Sequence, residues 1–600
     1  MNISMTEPQA LSKAQNLHQL GRISDALAIL LPIVSRGSDN VQLLMAAGLM
    51  ARDISRFDVA LDCFSKAQSR NASDPQIANI YANTLSADGQ NDKALFQFEK
   101  ILGKFPDLVD AHINRAITAQ KIDEKHALTL INESLRTFPE NARMWSVKGT
   151  ILKNLDQIDD AVKAFDQALR LEPGRAVTLF NRGVTLRAGE RHDEALAVYE
   201  ELERLGTRGP QIDSAKAAVL LELDQVEAAE VLYKRAFAAG DGEAGQALVR
   251  LRHEYLLHED PFEHLGNRAR SNPGEFAWWD TYLTAILAFG EYERLLSAAN
   301  EAATQHADNS KIAYFRALGE AWAGNREIAL DILEKLVHLS PKDHSLNLTL
   351  AEIRLACNDP DGAEYYAAKV IESEPFSQAA WAYRSTAWRL LDHPRKNWLC
   401  NYDTLVTTHN IDVQTADTND YVSSLANSLK RLHKTHTAPG NQSLRQGTQT
   451  SGSLFNRSDE FLASFRERLT HILDSKIRNL PQDPEHPFLA RASRNFRFRG
   501  SWSVRLNGDG HHIAHFHDQG WISSVYYAEL PDSIGTESNR AGWLQFGVPP
   551  ERLELDLASE LSIQPKVGMV VLFPSYLWHG TIPFPGEQTR LTAAFDVIPD

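Results

Sequence analysis

The sequence predicts two architectures in tandem: an all-α superhelix of repeated helix pairs, then a small double-stranded β-helix, or jelly roll, with flanking helices. Three observations carry this. An alanine-centred phrase recurs every 33 or 34 residues; the recurrence stops after Cys400; and short strand-like runs crowd together from Phe496 onward. A chain of 600 residues exceeds what one compact core holds, so at least two domains are expected unless an elongated array takes up part of the length.

The repeated phrase is marked by Ala26, Ala60, Ala94, Ala127, Ala161, Ala195 and Ala228, and reads SDALAIL, DVALDCF, DKALFQF, KHALTLI, DDAVKAF, DEALAVY and EAAEVLY in turn. Pro75, Pro106, Pro139 and Pro173 fall in phase behind it, and Pro341 and Pro375 repeat the spacing later. Such a period means one supersecondary unit per repeat, here a pair of helices. Small alanines let the second helix approach the first, and an aromatic four positions on (Phe64, Phe98, Phe165, Tyr199) fills the groove beside it. Proline ends the unit because it cannot continue a helix. One pair cannot bury its apolar face alone, so neighbours stack into a superhelix with a concave surface.

This pattern resembles the tetratricopeptide repeat family. The best match is Arg143 to Pro173, with Trp145, Gly149, Leu152, Ala161, Phe165, Ala168 and Pro173 where the family favours an aromatic, Gly, a large apolar residue, Ala, an aromatic, Ala and Pro. The resemblance is clear from about residue 9 to 237, weakens around FEHLGNRARSNPGEFAWWD, and resumes from about 311 to 400, giving about eleven units. The repeat array is accordingly placed at 1–400, degenerate near 240–310. Repeat aromatics are expected in the core, with Trp278 and Trp279 in a buried hinge between two sub-arrays. Arrays of this kind hold proteins or peptides on the concave face, so a protein or peptide partner is the expectation.

After Cys400 comes a connecting region, 401–455, with an amphipathic helix in YVSSLANSLKRLHKTH and a loop or linker in TAPGNQSLRQGTQTSGS. The region 456–600 opens on a helix over Asp459 to Leu480, whose stripe runs through Phe461, Leu462, Phe465, Leu469, Ile472 and Leu473. Then FRFRGSWSVRL, ISSVYYAEL, GWLQFGV, GMVVLF and RLTAAFDVI read as strands, rich in β-branched and aromatic residues and punctuated by Gly, Pro and Asp. Several such strands predict a small barrel or double-sheet jelly roll, with helices covering one face.

Composition narrows the function classes. Apolar residues at 43% and charged residues at 23% are ordinary for a soluble globular protein. A net charge of −16, from 62 basic and 78 acidic residues, argues against a nucleic-acid binder, which needs basic surface to replace phosphate counterions. Cys63, Cys357 and Cys400 are far apart and odd in number, so neither a disulfide framework nor a thiolate zinc site is expected. The start MNISMTEPQALSKAQ lacks a basic stretch before an apolar core, and VGMVVLF is too short to span a bilayer. A cytoplasmic protein without a membrane partner is the expectation.

The chemically dense segment is near the C-terminal end. Gly510-His511-His512-Ile513-Ala514-His515-Phe516-His517-Asp518 is followed by Phe573-Pro574-Ser575-Tyr576-Leu577-Trp578-His579 and then Arg590-Leu591-Thr592. On an extended strand His515 and His517 point to one face, because the side-chain period is two. His579, just after GMVVLF, is expected at a rim position opposite the pair. Imidazole suits Fe, Zn, Cu and Ni, so ligand type leaves the metal open. Arg590 with Thr592 two residues on puts a guanidinium beside a hydroxyl, a clamp for a carboxylate that Arg can bind through two parallel hydrogen bonds. His511 and His512 are weaker ligand candidates, expected in a loop ahead of the strand. Trp521, Trp543 and Trp578 are expected as core or pocket lining.

This segment, from about residue 440 to 600, resembles the 2-oxoglutarate-dependent iron(II) oxygenases. The group it is most similar to has a core of His-x-His, Gly-Trp, Ser-x-Val-Tyr-Tyr, Phe-Pro-Ser-x-x-x-His and a late Arg. Here these are His515-Phe516-His517, Gly520-Trp521, Ser523-Ser524-Val525-Tyr526-Tyr527, Phe573-Pro574-Ser575 to His579, and Arg590, with SLRQGTQTSGSLF upstream also similar. The resemblance implies Fe(II) on His515, His517 and His579, 2-oxoglutarate and O₂ as co-substrates, and ascorbate as an iron reductant. Oxidative decarboxylation to succinate and CO₂ would accompany hydroxylation of a C–H bond. The far carboxylate of 2-oxoglutarate would pair with Arg590, helped by Thr592, and Tyr527 would hydrogen-bond the same molecule unless a bulge at Gly520 changes its facing. No catalytic residue beyond the metal ligands is implied.

One departure from the resemblance matters. The commoner triad is His-x-Asp/Glu with a distal His, and here His517 holds the middle position. Asp518 stands as the alternative ligand, but on a regular strand it faces the other way and needs a bulge. Two other readings remain beside the oxygenase with a recruiting array. One is a non-catalytic metal-binding interaction scaffold; the other is a three-histidine cupin-type dioxygenase that does not use 2-oxoglutarate.

Overall fold

A computed structural model describes residues 5–411, 418–440 and 442–599. Residues 412–417 of the connecting region and Asn441 of the expected linker lie outside the described residues. The chain divides into two compact units, Met1–Gly189 with Glu194–Thr207, and Glu190–Asp193 with Arg208–Asp600.

The first unit is built of helix pairs, from Glu7–Gln19 with Ile23–Ser35 to Ala142–Asn154 with Ile158–Leu171 and onward. The repeat shows in three physical details. Short polar residues cap the first helix of a pair: the side chains of Asn40, Asp74 and Asn141 accept backbone N–H bonds from Leu43, Ile77 and Met144. The turn inside the pair needs a left-handed residue, at Ser55, Gly89 and Asp156. The aromatic of the second helix lies flat on a glycine of the first. A Cβ on Gly48 would come within 2.5 Å of Phe64 and one on Gly149 within 2.8 Å of Phe165, so those positions admit no side chain. Ala60, Ala94, Ala127, Ala161 and Ala195 are fully buried, as the packing argument requires.

The same grammar continues in the second unit, from Pro210–Glu222 with Val226–Ala238 to His344–Ala356 with Pro360–Ser373, ending on Gln378–Leu390. Asn309, Asp343 and Ser377 cap first helices, and Asp224, Gly290, Gly324 and Asn358 make the left-handed turns. Across 240–310, where the sequence repeat degenerates, the helix pairs persist. The helix Glu263–Ser271 is merely shortened to 9 residues, and Trp278 and Trp279 are buried in an ordinary helix-pair core with Leu265, Tyr282 and Leu283. The period is hidden there because bulky aromatics take over from the small alanines.

Beyond the repeats lie two antiparallel sheets, a β-sandwich of the jelly-roll kind. Its strands are β1 (Thr407–Asn410), β2 (Leu444–Gln449), β3 (Phe496–His512), β4 (Ile522–Glu529), β5 (Leu544–Phe546), β6 (Leu561–Ile563), β7 (Met569–Pro574), β8 (His579–Thr581) and β9 (Arg590–Pro599). One sheet has the order β1-β7-β4-β9-β3-β2 and the other β6-β5-β8. Helix Glu460–Arg478, capped by the Asp459 side chain, buries Phe465, Leu469 and Leu473 in the core of the larger sheet, with Phe465 4.7 Å from the Tyr526 ring. Helix Thr418–Lys430 adds Leu425 and Leu429 to the same core.

Two expectations are corrected here. The stretch read as a linker contains β2, which pairs with β3, and β1 within the connecting region pairs with β7. Both are polar edge strands, so they lack the apolar alternation that would announce them. Also, β3 extends through His512, so His511 and His512 belong to a strand and not to a loop ahead of one.

The last repeats of this unit pack directly on the sheets. Arg389 donates to the carbonyls of Gly547 (2.7 Å) and Ala558 (2.6 Å), Arg552 pairs with Glu352 at 2.9 Å, and Lys396 pairs with Glu560. Trp381 and Trp388 share one buried cluster with Trp521, Phe546 and Phe573.

Candidate metal and co-substrate site

The central strand β9 sets the site. Its residues Arg590, Thr592, Ala594 and Asp596, spaced by two, share one face and line a single cavity of about 340 Å³. Register on either side is fixed by apolar strands: Arg590 lies opposite Leu506 and Thr592 opposite Val504 of β3, and Thr592 opposite Tyr527 of β4.

The histidines enter the same cavity from a zipped pair of segments. The backbones of His515 and His579 exchange hydrogen bonds of 3.0 and 2.9 Å, and His517 N–H donates to the Ser575 carbonyl at 2.9 Å. Ring centroids are 4.2 Å apart for His515–His579, 5.2 Å for His515–His517 and 5.0 Å for His517–His579. One ring nitrogen from each lies within 4.8 Å of the others.

Hydrogen bonding fixes which nitrogen is presented. Nδ1 of His515 faces the Ile513 carbonyl at 2.9 Å, Nδ1 of His579 faces the Leu577 carbonyl at 3.0 Å, and Nδ1 of His517 faces Oδ1 of Asp596 at 2.6 Å. Each Nδ1 must therefore carry its hydrogen, which leaves a lone pair on each neutral ring's Nε2. Nε2 of His515 and Nε2 of His517 are 3.3 Å apart. Two lone pairs facing each other at that distance repel unless a cation lies between them. The donor set fits a divalent metal.

Burial pushes the His515 imidazole down to about 3, with the charge of His517 adding to the effect, and drives His579 well below the usual range. His517 differs. Burial lowers it too, but the charge of Asp596 and its hydrogen bond outweigh burial and hold it above the ordinary value. Both low-lying histidines are neutral, and so ligand-competent, at physiological pH.

Arg590 is 1% exposed. One guanidinium nitrogen donates to the Gly542 carbonyl at 3.0 Å, while Nε has no hydrogen-bond partner. Its Cζ lies 5.1 Å from the Tyr527 ring centroid, and the buried Tyr527 hydroxyl interacts with the guanidinium. Burial lowers the guanidinium from its ordinary value and raises the phenol. Among the described residues no carboxylate pairs with it, so a buried cation with an unspent donor faces a cavity, an arrangement that suits an anion. Thr592 sits next to it in the lining, its hydroxyl 3.4 Å from the Val504 carbonyl.

Of the residues singled out from the sequence, His515, His517, His579, Arg590, Thr592 and Asp518 line this cavity, while His511, Trp521, Trp543 and Trp578 do not. Tyr527 reaches it only through Arg590 and does not line it. Asp518 occupies the turn after His517 and lines the cavity, but its carboxylate is not part of the converging histidine group. Three further residues, Asp596, Ser523 and Ser575, were missed, and His512 takes a larger part than its place as a weaker candidate. His512 lines the cavity, is half-buried, and bonds through Nδ1 to Ser443 Oγ at 2.9 Å. Asp596, Ser523 and Ser575 form a network behind His517. A signal for Asp596 existed: it stands an even number of residues after Arg590 and Thr592 on one strand.

Residues 500–596 match the family model described as "Putative 2OG-Fe(II) oxygenase", and residues 146–210 match a tetratricopeptide repeat model. No curated protein matches the chain. Solved structures similar to it include a tetratricopeptide repeat protein from Parabacteroides merdae, at 17% identity, TM-score 0.33, covering 39% of this chain and 93% of that one. Yeast Tom70 aligns at 11% identity and TM-score 0.36, over 66% of this chain and 98% of its own. MamA from Desulfovibrio magneticus aligns at 19% identity and TM-score 0.24, over 28% and 96%. With TM-scores below 0.5, these likenesses add nothing to the helix pairs seen directly. Among the described residues no helix is long and apolar enough to cross a membrane. The chain carries tetratricopeptide repeats followed by a segment that matches the 2-oxoglutarate and iron(II) oxygenase family.

Proposed function

We propose that the C-terminal sandwich is a 2-oxoglutarate- and Fe(II)-dependent dioxygenase, a hydroxylase of cytoplasmic location whose repeats recruit a protein or peptide substrate. The observation that carries this is the coincidence, in one cavity, of three Nε2 lone pairs and a buried arginine with unspent donors. A metal-only protein needs no such arginine.

In this reading His515, His517 and His579 hold Fe(II), which supplies the means of activating O₂ when bound. The chain's own residues do the rest. Arg590 takes the far carboxylate of 2-oxoglutarate through charge-assisted hydrogen bonds, and the Thr592 hydroxyl flanks it. Tyr527, with its ring against the guanidinium, keeps Arg590 aimed into the cavity and excludes water behind it. Apolar walls from Val504, Leu544 and Phe573 strengthen these electrostatic contacts by lowering the local dielectric. The balanced reaction joins a substrate C–H, O₂ and 2-oxoglutarate to give the alcohol, succinate and CO₂, with ascorbate keeping iron reduced between turnovers.

The test is anaerobic titration of the Fe(II)-loaded full chain with 2-oxoglutarate, followed by its visible charge-transfer band. The band is expected in the wild type and absent in His515→Ala and His579→Ala. A wild-type chain that binds Fe(II) but develops no band would sink the 2-oxoglutarate assignment.

A further inference from the structure

We propose that Asp596 is a positioning residue for the metal centre, supplying through His517 the negative charge that a carboxylate ligand supplies in the commoner triad. The inference rests on the reading of the three histidines as ligands. Its own evidence is an asymmetry among them. His515 and His579 spend Nδ1 on the neutral carbonyls of residues two positions earlier in the chain, a local contact. His517 alone spends it on a carboxylate, at 2.6 Å, from a strand 79 residues away.

That carboxylate is built in. Asp596 is 8% exposed, and its ion-pair partner is His517. The Ser523 hydroxyl donates to the same Oδ1 at 2.7 Å, and Ser575 Oγ lies 2.8 Å from Ser523 Oγ. Gly520 leaves room for the group: a Cβ there would come within 2.3 Å of Ser575 Oγ and 3.3 Å of Asp596 Cγ. A buried carboxylate whose hydrogen-bond partners are a hydroxyl and an imidazole needs a positive charge nearby. A cation on Nε2 of His517 provides it, across one ring.

The charge count supports the assignment. A divalent ion on three neutral imidazoles keeps two positive charges, whereas a histidine pair with one carboxylate leaves one. Asp596 restores the second count one hydrogen bond removed from the metal. It also fixes the His517 tautomer and raises the basicity of Nε2.

The experiment uses the full chain stripped of metal and titrated with Co(II), reading affinity and the ligand-field absorption bands. Asp596→Ala is expected to weaken Co(II) binding by about 10–100-fold and to shift the bands. Asp596→Asn, which keeps an acceptor but removes the charge, is expected to fall between wild type and Asp596→Ala. Affinity within about twofold of wild type with unmoved bands in both variants would overturn the proposal. So would a loss in Asp596→Asn as complete as in His579→Ala, since that makes Asp596 a ligand. If Asp596→Ala does not fold, Asp596→Asn decides by the same criteria. A wild type that takes up no Co(II) defeats the histidine reading and this one together; uptake with indifferent variants defeats this one alone.

Discussion

Arg590 brings a charge into a buried place where the fold satisfies only part of it. It is buried, one nitrogen reaches a carbonyl, and Nε reaches no partner. Such a group costs stability unless a ligand completes it. Arg590→Met is therefore expected to raise the thermal midpoint of the ligand-free chain, by the equivalent of about 1 kcal/mol or more. The same variant should lose at least about tenfold in 2-oxoglutarate affinity, because charge-assisted hydrogen bonds contribute roughly 1.5–3 kcal/mol. Fe(II) binding should stay as it was. Calorimetric scans and 2-oxoglutarate titrations of the two proteins measure both effects. A clearly lower midpoint, or an unchanged affinity, contradicts the anion-site reading. Arg590→Lys should lose most of the affinity as well, since an ammonium cannot reproduce two parallel hydrogen bonds.

At the scale of elements, helix Glu460–Arg478 carries an instructive exception to its apolar stripe. Lys476 is buried, donating to the Leu405 carbonyl at 2.8 Å and to Thr407 Oγ1 at 3.0 Å, and burial pulls its ammonium down to about 7 from 10.5. The sign follows from proton counting. Between about pH 7 and 10.5 the unfolded chain holds the proton that the folded chain has released, so stability rises with pH across that window. Below it the burial penalty is fully present. Lys476→Met should remove this dependence, worth up to about 1.4 kcal/mol per pH unit, and should gain on the wild type most near pH 7. Denaturant melts of both chains at several pH values in that window provide the comparison, and parallel curves would refute the assignment. The helix itself was legible from its sequence stripe; Lys476 was not, because its partners are Thr407 on β1, a short polar edge strand that no alternation betrays, and Leu405 just ahead of it. The same holds for the site. His515, His517, His579, Arg590 and Thr592 could be read because three short motifs carry them, two with strand-period spacing. Asp596 shares the even spacing of Arg590 and Thr592, but that it meets His517 and Ser523, and that His512 joins the cavity, depends on which strands become neighbours, which is not written in any local run.

At the scale of the molecule, the repeats of the second unit do more than adjoin the sandwich. Trp578 precedes the candidate ligand His579, and its indole N–H donates to Thr386 Oγ1 on helix Gln378–Leu390 at 2.9 Å. Phe516 sits between His515 and His517, its ring 4.8 Å from Trp578 and 5.9 Å from Tyr383 of that helix. Both histidine-bearing segments are therefore braced from outside by one repeat helix, and Trp381 and Trp388 of that helix belong to the sandwich core. Two consequences follow. Thr386→Val leaves a buried indole N–H unpaired, at a cost of about 1–3 kcal/mol, and should weaken Co(II) binding although residue 386 lies outside the cavity. A fragment starting at residue 401 loses Trp381, Trp388 and Tyr383 together, exposing Phe546, Trp578 and Leu553. It is expected to aggregate or to bind Co(II) poorly, whereas a fragment starting at residue 343, which keeps the last three repeat helices, should stay soluble and bind it. Expression of both, with sedimentation and Co(II) titration, makes the comparison. A soluble 401–600 fragment with full-chain affinity would show that the repeats serve recruitment alone. Failure of that fragment beside success of the longer one makes the last repeats a structural part of the metal site, so that a partner docking on them has a direct mechanical route to His515, His517 and His579.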